Sequence, residues 1–221
     1  MDIKNFEAVI FDMDGVLIDS EPLWKIAMEA VFKEVGCSLT KKDFQKTVGL
    51  RIDEVIEYWY EQVGWDNATP KQVEERIVQR MVDLITEHGE PLPGVVETID
   101  YLNANQVPIG LGTSSYKVLI ETVLNVLGIR EQFNEVHSAE DEDYGKPHPA
   151  VYMTVAKRLN VDPTKCLVIE DSLNGIISAK AARMTTVCIP EKTHHPEPKL
   201  MVADYRFDDM LLFLNALQAE S

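Results

Sequence analysis

The sequence predicts an α/β fold, a parallel sheet core interrupted by an all-helical insertion, and three observations lead there. Short apolar runs alternate with stretches of helical periodicity, as in parallel strands joined by crossover helices. The first two runs, Ala8 to Phe11 and Pro108 to Gly112, lie almost a hundred residues apart, far more than one crossover helix requires. The principal runs also stop abruptly at polar or acidic residues, and open α/β sheets bind ligands outside the carboxyl ends of their strands.

The first strand runs into Asp12-Met13-Asp14-Gly15. In extended backbone, residues i and i+2 point to one side, so both carboxylates can face a single centre and invite a cation. Asp-x-Asp-Gly is also ordinary turn chemistry, and this segment alone leaves both readings open. The chain then leaves through Ile18-Asp19-Ser20-Glu21 into a helical stretch. One helix is expected from Pro22 to Val35, ending at Gly36, and another after Thr40, with Asp43 at capping-box spacing. A third covers Ile52 to Val63 and stops at Gly64. The fourth opens at Thr69-Pro70 with Gln72 as capping partner, carries Val73, Ile77, Met81, Leu84 and Ile85 on one face, and closes at His88-Gly89. Pro91-Leu92-Pro93-Gly94 is a stiff return. The expected bounds are therefore 1–17 with 92–221 for a Rossmann-like core, and 18–91 for a helical cap domain hanging over the carboxyl end of the sheet. The later strands are Pro108 to Gly112, Cys166 to Ile169 and Thr185 to Ile189, with weaker candidates at Glu135-Val136 and Asp204-Tyr205.

Each later motif offers groups suited to phosphate chemistry, the first two beside a plainer reading. Thr113-Ser114-Ser115 brings hydroxyls and amides to a helix start, where they cradle phosphate oxygens or simply cap the helix. Lys146 stands between Gly145 and Pro147 just before a helix, as a phosphate partner or a solvated side chain. Ile169-Glu170-Asp171-Ser172 repeats the opening design, a strand ending in two acids, followed by Asn174-Gly175 and a helix.

Composition narrows the chemistry. A formal charge of -16 over 221 residues, with no cluster of Lys and Arg, argues against nucleic acid. It also means that an anionic substrate needs local positive charge from a metal, a lysine or helix N-termini. No apolar run approaches the roughly 18 residues of a membrane helix, and Met1-Asp2-Ile3-Lys4-Asn5 lacks the pattern of a signal peptide, so a cytoplasmic protein is expected. Cys37, Cys166 and Cys188 lack metal-ligand spacing and are expected as buried thiols.

Asp12-x-Asp14-Gly15, the strand-end Thr113, Lys146-Pro147 and Glu170-Asp171 together resemble, in order and spacing, the four motifs of the haloacid dehalogenase-type phosphotransferases. The helical insertion resembles the type 1 cap of the β-phosphoglucomutase-like branch. Asp19-Ser20-Glu21-Pro22-Leu23-Trp24 is similar to its sugar-phosphate phosphatases, and Gly49-Leu50-Arg51-Ile52-Asp53 to those for hexitol and 2-deoxyhexose phosphates. The resemblance implies Asp12 as nucleophile and Asp14 as general acid and base. It implies Mg²⁺ held by Asp12, the Asp14 carbonyl and Asp171, with Glu170 acting through a water, and Thr113, Ser114 and Lys146 binding phosphate. Arg51 and Trp24 of the cap would read the substrate, and Trp59 is cap core or pocket wall. Trp24 stands where the mutases carry a cap histidine, so a phosphatase is expected over a mutase or a non-catalytic binding protein. The expected partner is a small phosphorylated metabolite, bound by a monomer. His137, His148, His194 and His195 receive no role, and Glu140 to Asp143 is expected as a solvated acidic loop.

Overall fold

A computed structural model describes residues 2–44, 46–47, 50–190 and 198–219. Gly49, His194 and His195 lie outside them. The chain divides into two compact units, Met1–Asp19 with Glu90–Ser221, and Ser20–Gly89.

The first unit is built, among the described residues, on six strands: β1 (Ala8–Phe11), β2 (Ile109–Thr113), β3 (Glu135–Ser138), β4 (Cys166–Glu170), β5 (Thr185–Cys188) and β6 (Tyr205–Arg206). All pair in parallel, in the order β3-β2-β1-β4-β5-β6. Every residue of β1, β2 and β4 is buried, which is why they read in sequence as unbroken apolar runs. The edge strand β6 is exposed and only two residues long, and its weak sequence signal follows from that. The weak candidate at Glu135-Val136 proves to be a longer strand, whose last two residues, His137 and Ser138, are polar yet buried.

Among the described residues, five α-helices belong to this unit: α5 (Val95–Ala104), α6 (Lys117–Val126), α7 (Ala150–Leu159), α8 (Leu173–Ala181) and α9 (Met210–Gln218). Helix α7 lies close over the sheet because β2 is Ile-Gly-Leu-Gly-Thr: a Cβ on Gly110 would stand 2.5 Å from Val155 Cγ1, and one on Gly112 3.1 Å from the Tyr152 ring. Ile10, Tyr152, Val155 and Val168 share the resulting core cluster.

The second unit holds α1 (Glu21–Glu34), α2 (Lys41–Phe44), α3 (Ile52–Val63) and α4 (Pro70–His88). The capping box of α4 is present: Gln72 N donates to Thr69 Oγ1 at 3.2 Å and Thr69 N donates to Gln72 Oε1 at 2.9 Å. Asp43 accepts from both the amide and the hydroxyl of Thr40, at 2.9 and 2.6 Å. Val73, Ile77, Met81, Leu84 and Ile85 form the buried face of α4. Trp59 belongs to the buried face of α3 with Ile52, Val55 and Ile56, its ring edge-on to Tyr58 and covered by Lys46.

Replacing Ile10, fully buried in the central strand, by Ala is expected to cost about 2–5 kcal/mol of stability through lost burial and the cavity left behind. Urea unfolding at fixed Mg²⁺ measures it, and a loss under 1 kcal/mol would contradict the packing described.

Candidate active site

Strand order reverses between β1 and β4, the place where an open parallel sheet leaves a crevice beyond its carboxyl ends. The residues that follow these two strands are Asp12 on one side and Asp171 on the other. The register carries Asp12 one step past the end of β1, where its amide donates to Ile169 O at 3.0 Å. The chain then turns, with Leu17 N donating to Met13 O at 2.8 Å and Gly15 at φ +72.

Two glycines let the acid pairs meet. A Cβ on Gly15 would stand 2.2 Å from Asp171 Oδ2, and one on Gly175 only 1.6 Å from Glu170 Oε1. Gly175 therefore opens the first turn of α8 to the Glu170 carboxylate, and Gly15 brings the Asp12–Asp14 turn against Asp171.

Glu170 is completely buried and accepts from five donors. Lys146 Nζ at 2.7 Å and the Tyr152 hydroxyl at 2.6 Å reach Oε1; the amides of Asp171 and Ser172 at 3.1 and 3.0 Å, and Ser172 Oγ at 2.9 Å, reach Oε2. These donors, Lys146 foremost, overcome burial and hold its carboxyl below the usual range. Lys146 also lies 2.8 Å from Asp12 Oδ1, and its ammonium sits over the Tyr152 ring, 4.7 Å from the centroid. Burial works against its charge, but the two carboxylates more than compensate and hold its pKa above the ordinary lysine value. Asp12 fares differently. Burial pushes its carboxyl up to about 7, with Glu170 and Asp14 adding to the shift and Lys146 opposing it. One ammonium is thus divided between two buried carboxylates.

That imbalance is what a divalent cation would correct. Asp12, Glu170 and Asp171 each offer an oxygen within 4.8 Å of the others. Apart from the Lys146 ion pair, Asp12 Oδ1 is buried without a hydrogen bond, whereas every oxygen of Glu170 is already engaged. The donor set therefore fits Mg²⁺ through the carboxylates of Asp12 and Asp171, hard oxygen ligands of the kind that ion takes, with Glu170, its oxygens already hydrogen-bonded, beside them.

The remaining groups come from β2 and the loop after β3. Thr113 ends β2, buried, and its Oγ1 accepts from Ser115 N at 3.2 Å. Ser115 Oγ donates to Asp14 Oδ2 at 2.5 Å, tying the first motif to the second. Ser138 Oγ in turn donates to Ser115 O at 2.6 Å. Residues 140–142 are not simply a solvated acidic loop, as their charge suggests. Glu140 accepts from Lys117 N at 2.9 Å at the start of α6, Asp141 pairs with Lys117 Nζ, and Glu142 lies 2.7 Å from buried His137 while accepting from Thr154. These acids brace the Thr113–Lys117 loop and join β3 to α7.

Within the helical unit, Arg51 precedes α3 and its guanidinium forks onto Asp53, Nε to Oδ1 at 3.0 Å and Nη2 to Oδ2 at 2.5 Å. Trp24 is half-buried on α1. The three cysteines are buried and free, and burial pushes the thiol of Cys166 up to about 12 and that of Cys188 up to about 11, far from thiolate chemistry at neutral pH.

Tyr152 escapes the motif reading, and Ser115 is read there only as a hydroxyl beside Thr113, not as the partner of Asp14. Tyr152 carried a signal nonetheless: a hydroxyl on the otherwise apolar face of α7 needs a buried partner. Gly175 carried another, as a glycine in a helix's first turn marks close approach.

The model of the haloacid dehalogenase-like hydrolases matches residues 9–189, a span that includes every core motif described. This chain belongs to that family. Its relatives include hexitol phosphatase B of Escherichia coli (strain K12), 38% identical over 204 residues that cover 92% of each chain. A phosphorylated carbohydrates phosphatase of Thermotoga maritima is 32% identical over 176 residues, covering 80% of this chain and 81% of the relative. In fold, the chain resembles CbbY of Rhodobacter sphaeroides, solved in complex with phosphate, with a TM-score of 0.86 at 22% identity over 93% of this chain and 95% of that one.

Two outcomes are expected of this geometry. Gly175→Ala should lower turnover about tenfold or more by displacing the Glu170 carboxylate, and melting should show at least about 2 kcal/mol of lost stability; native-like values in both would refute the cradle. The second concerns Asp12. A carboxyl whose folded pKa exceeds its unfolded value binds more protons when folded, so its contribution to stability falls as pH rises between 3.8 and about 7. Mg²⁺ should therefore raise the melting temperature more at pH 8 than at pH 5. Differential scanning fluorimetry with and without EDTA measures this, and an equal or reversed gain would contradict it.

Proposed function

We propose that this chain is a Mg²⁺-dependent phosphatase of small sugar or sugar-alcohol phosphates, working through an aspartyl-phosphate. The observation that carries the reading is the meeting of buried Asp12 and Lys146 with half-buried Asp171 at the sheet's switch point. The names of the hexitol and carbohydrate phosphatases among its relatives support the substrate class.

Asp12 attacks phosphorus in line, forming its P–O bond as the ester P–O bond breaks. Asp14 gives a proton to the departing sugar oxygen and later takes one from the water that hydrolyses the acyl phosphate. Ser115 holds Asp14 Oδ2 during this exchange. Thr113 Oγ1, which accepts from Ser115 N, keeps its own proton to donate to a phosphate oxygen, beside the Ser114 amide. Lys146 offsets negative charge on the transferring group. Asp12, the Asp14 carbonyl and Asp171 would hold Mg²⁺, which when bound neutralises phosphoryl charge and offsets the repulsion between nucleophile and substrate.

Residues 18–91 act as the cap that selects the substrate, with Arg51 and Trp24 as its reading residues. Trp24 at the place of the mutases' cap histidine favours hydrolysis over transfer between sugar positions. We further read the chain as a cytoplasmic monomer, a reading that its buried free thiols support for the compartment.

Asp12→Asn should abolish both phosphate release and the trapped acyl phosphate, with turnover down by about four orders of magnitude or more. Steady-state assays on hexitol, hexose and pentose phosphates, with acid quench of radiolabelled enzyme, provide the check; near-normal turnover in the variant would overturn the mechanism.

A further inference from the structure

Lys146 faces a choice that its charge alone does not resolve. Its ammonium lies 2.7 Å from Glu170 Oε1 and 2.8 Å from Asp12 Oδ1, and in a buried setting an ammonium moves toward whichever carboxylate carries more uncompensated charge. For phosphoryl transfer it must stay with Asp12 and the incoming phosphate. The Tyr152 hydroxyl donates to the very oxygen of Glu170 that Lys146 uses, at 2.6 Å. A strong neutral donor there draws down the charge that Oε1 presents to the lysine. The ring of the same side chain lies beneath the ammonium, 4.7 Å from its centroid to Nζ, and so limits where Nζ can go. The seat is built by the fold. Tyr152 is fully buried, and Gly112 of β2 leaves room for its ring, since a Cβ there would press on Cδ1 at 3.1 Å.

We infer that Tyr152 is a positioning residue that holds Lys146 toward Asp12, its hydroxyl occupying Glu170 and its ring face seating the ammonium. It touches neither substrate nor reacting atoms; it acts through Lys146. The inference rests on the phosphatase reading above and adds a residue outside the four motifs. Removing the hydroxyl leaves Glu170 Oε1 with a single partner, the ammonium, which then shifts away from Asp12 and from the phosphate it should neutralise.

Tyr152→Phe isolates the effect, because it removes one oxygen and keeps the ring. Binding of inorganic phosphate in the presence of Mg²⁺, followed by calorimetry, reads Lys146 directly. The variant should bind about five- to tenfold more weakly, with one-to-one stoichiometry and a melting temperature near that of the native chain, and kcat should fall by a similar factor. Tyr152→Leu, which loses the ring seat as well, should bind more weakly still. Phosphate affinity and kcat within twofold of native in Tyr152→Phe would overturn the inference and leave the phosphatase reading standing. So would a lower melting temperature and stoichiometry with unchanged affinity, the signature of packing alone. A native chain that neither binds phosphate with Mg²⁺ nor releases it from sugar phosphates would instead overturn the underlying reading.

Discussion

One buried ammonium shared between two buried carboxylates is the constraint around which the core is arranged. Charges removed from water are costly unless paired and hydrogen-bonded, and here the structure meets that demand unequally. Glu170 receives five donors drawn from the loop before α7, from α7 itself and from the start of α8. Asp12 receives the ion pair with Lys146 and little else. The acid that anchors the site is thereby satisfied by the protein, and the acid assigned to attack keeps an unmet demand for positive charge. The proposed metal and substrate chemistry both draw on that difference.

Sheet topology puts these charges in one place. The strands that end in the two acid pairs are neighbours in the sheet but lie far apart in the chain, and the reversal of strand order between them leaves room beyond their tips. Glycine completes the approach at two points, Gly15 beneath Asp171 and Gly175 beneath Glu170. Ser138 at the end of β3 holds Ser115, and through it Asp14, while Glu140 of the acidic loop that follows holds the amide of Lys117 at the start of α6. In the proposed reading such a site also answers the electrostatic problem of a chain carrying -16 charges, because a buried lysine and acids that could hold a cation would supply attraction for an anion locally, against the long-range field.

The residues gathered at the strand ends were legible in sequence because strand ends leave a strong mark: an apolar run that stops at Asp12, Thr113 or Glu170 says where a buried strand meets a crevice. The capping box at Thr69 and Gln72 and the apolar stripe of α4 were legible for a similar reason, since local hydrogen bonds and helical period are written within a few residues. Tyr152 and Ser115 were not. Each acts on a partner distant in sequence, Glu170 and Asp14, so the local pattern does not name that partner, even where a hydroxyl on an apolar helix face marks the residue, as at Tyr152. Within the acidic loop only Glu142 was misread, because a run of acids looks alike whether it is solvated or tied to a buried histidine.

By itself the sequence determined the alternation of strands and helices, the helical insertion after the first strand and the identity of the motif residues, because period, caps and strand ends depend on neighbours along the chain. Only the tertiary structure decided how charge is shared among those residues. Which oxygen of Glu170 meets Lys146, which atom of Tyr152 competes for it, and why Asp12 is left under-compensated are set by distances across α7, β1 and β4. Electrostatic energy in a buried site depends on those distances and on the exclusion of water, and neither is a property of any short stretch of chain.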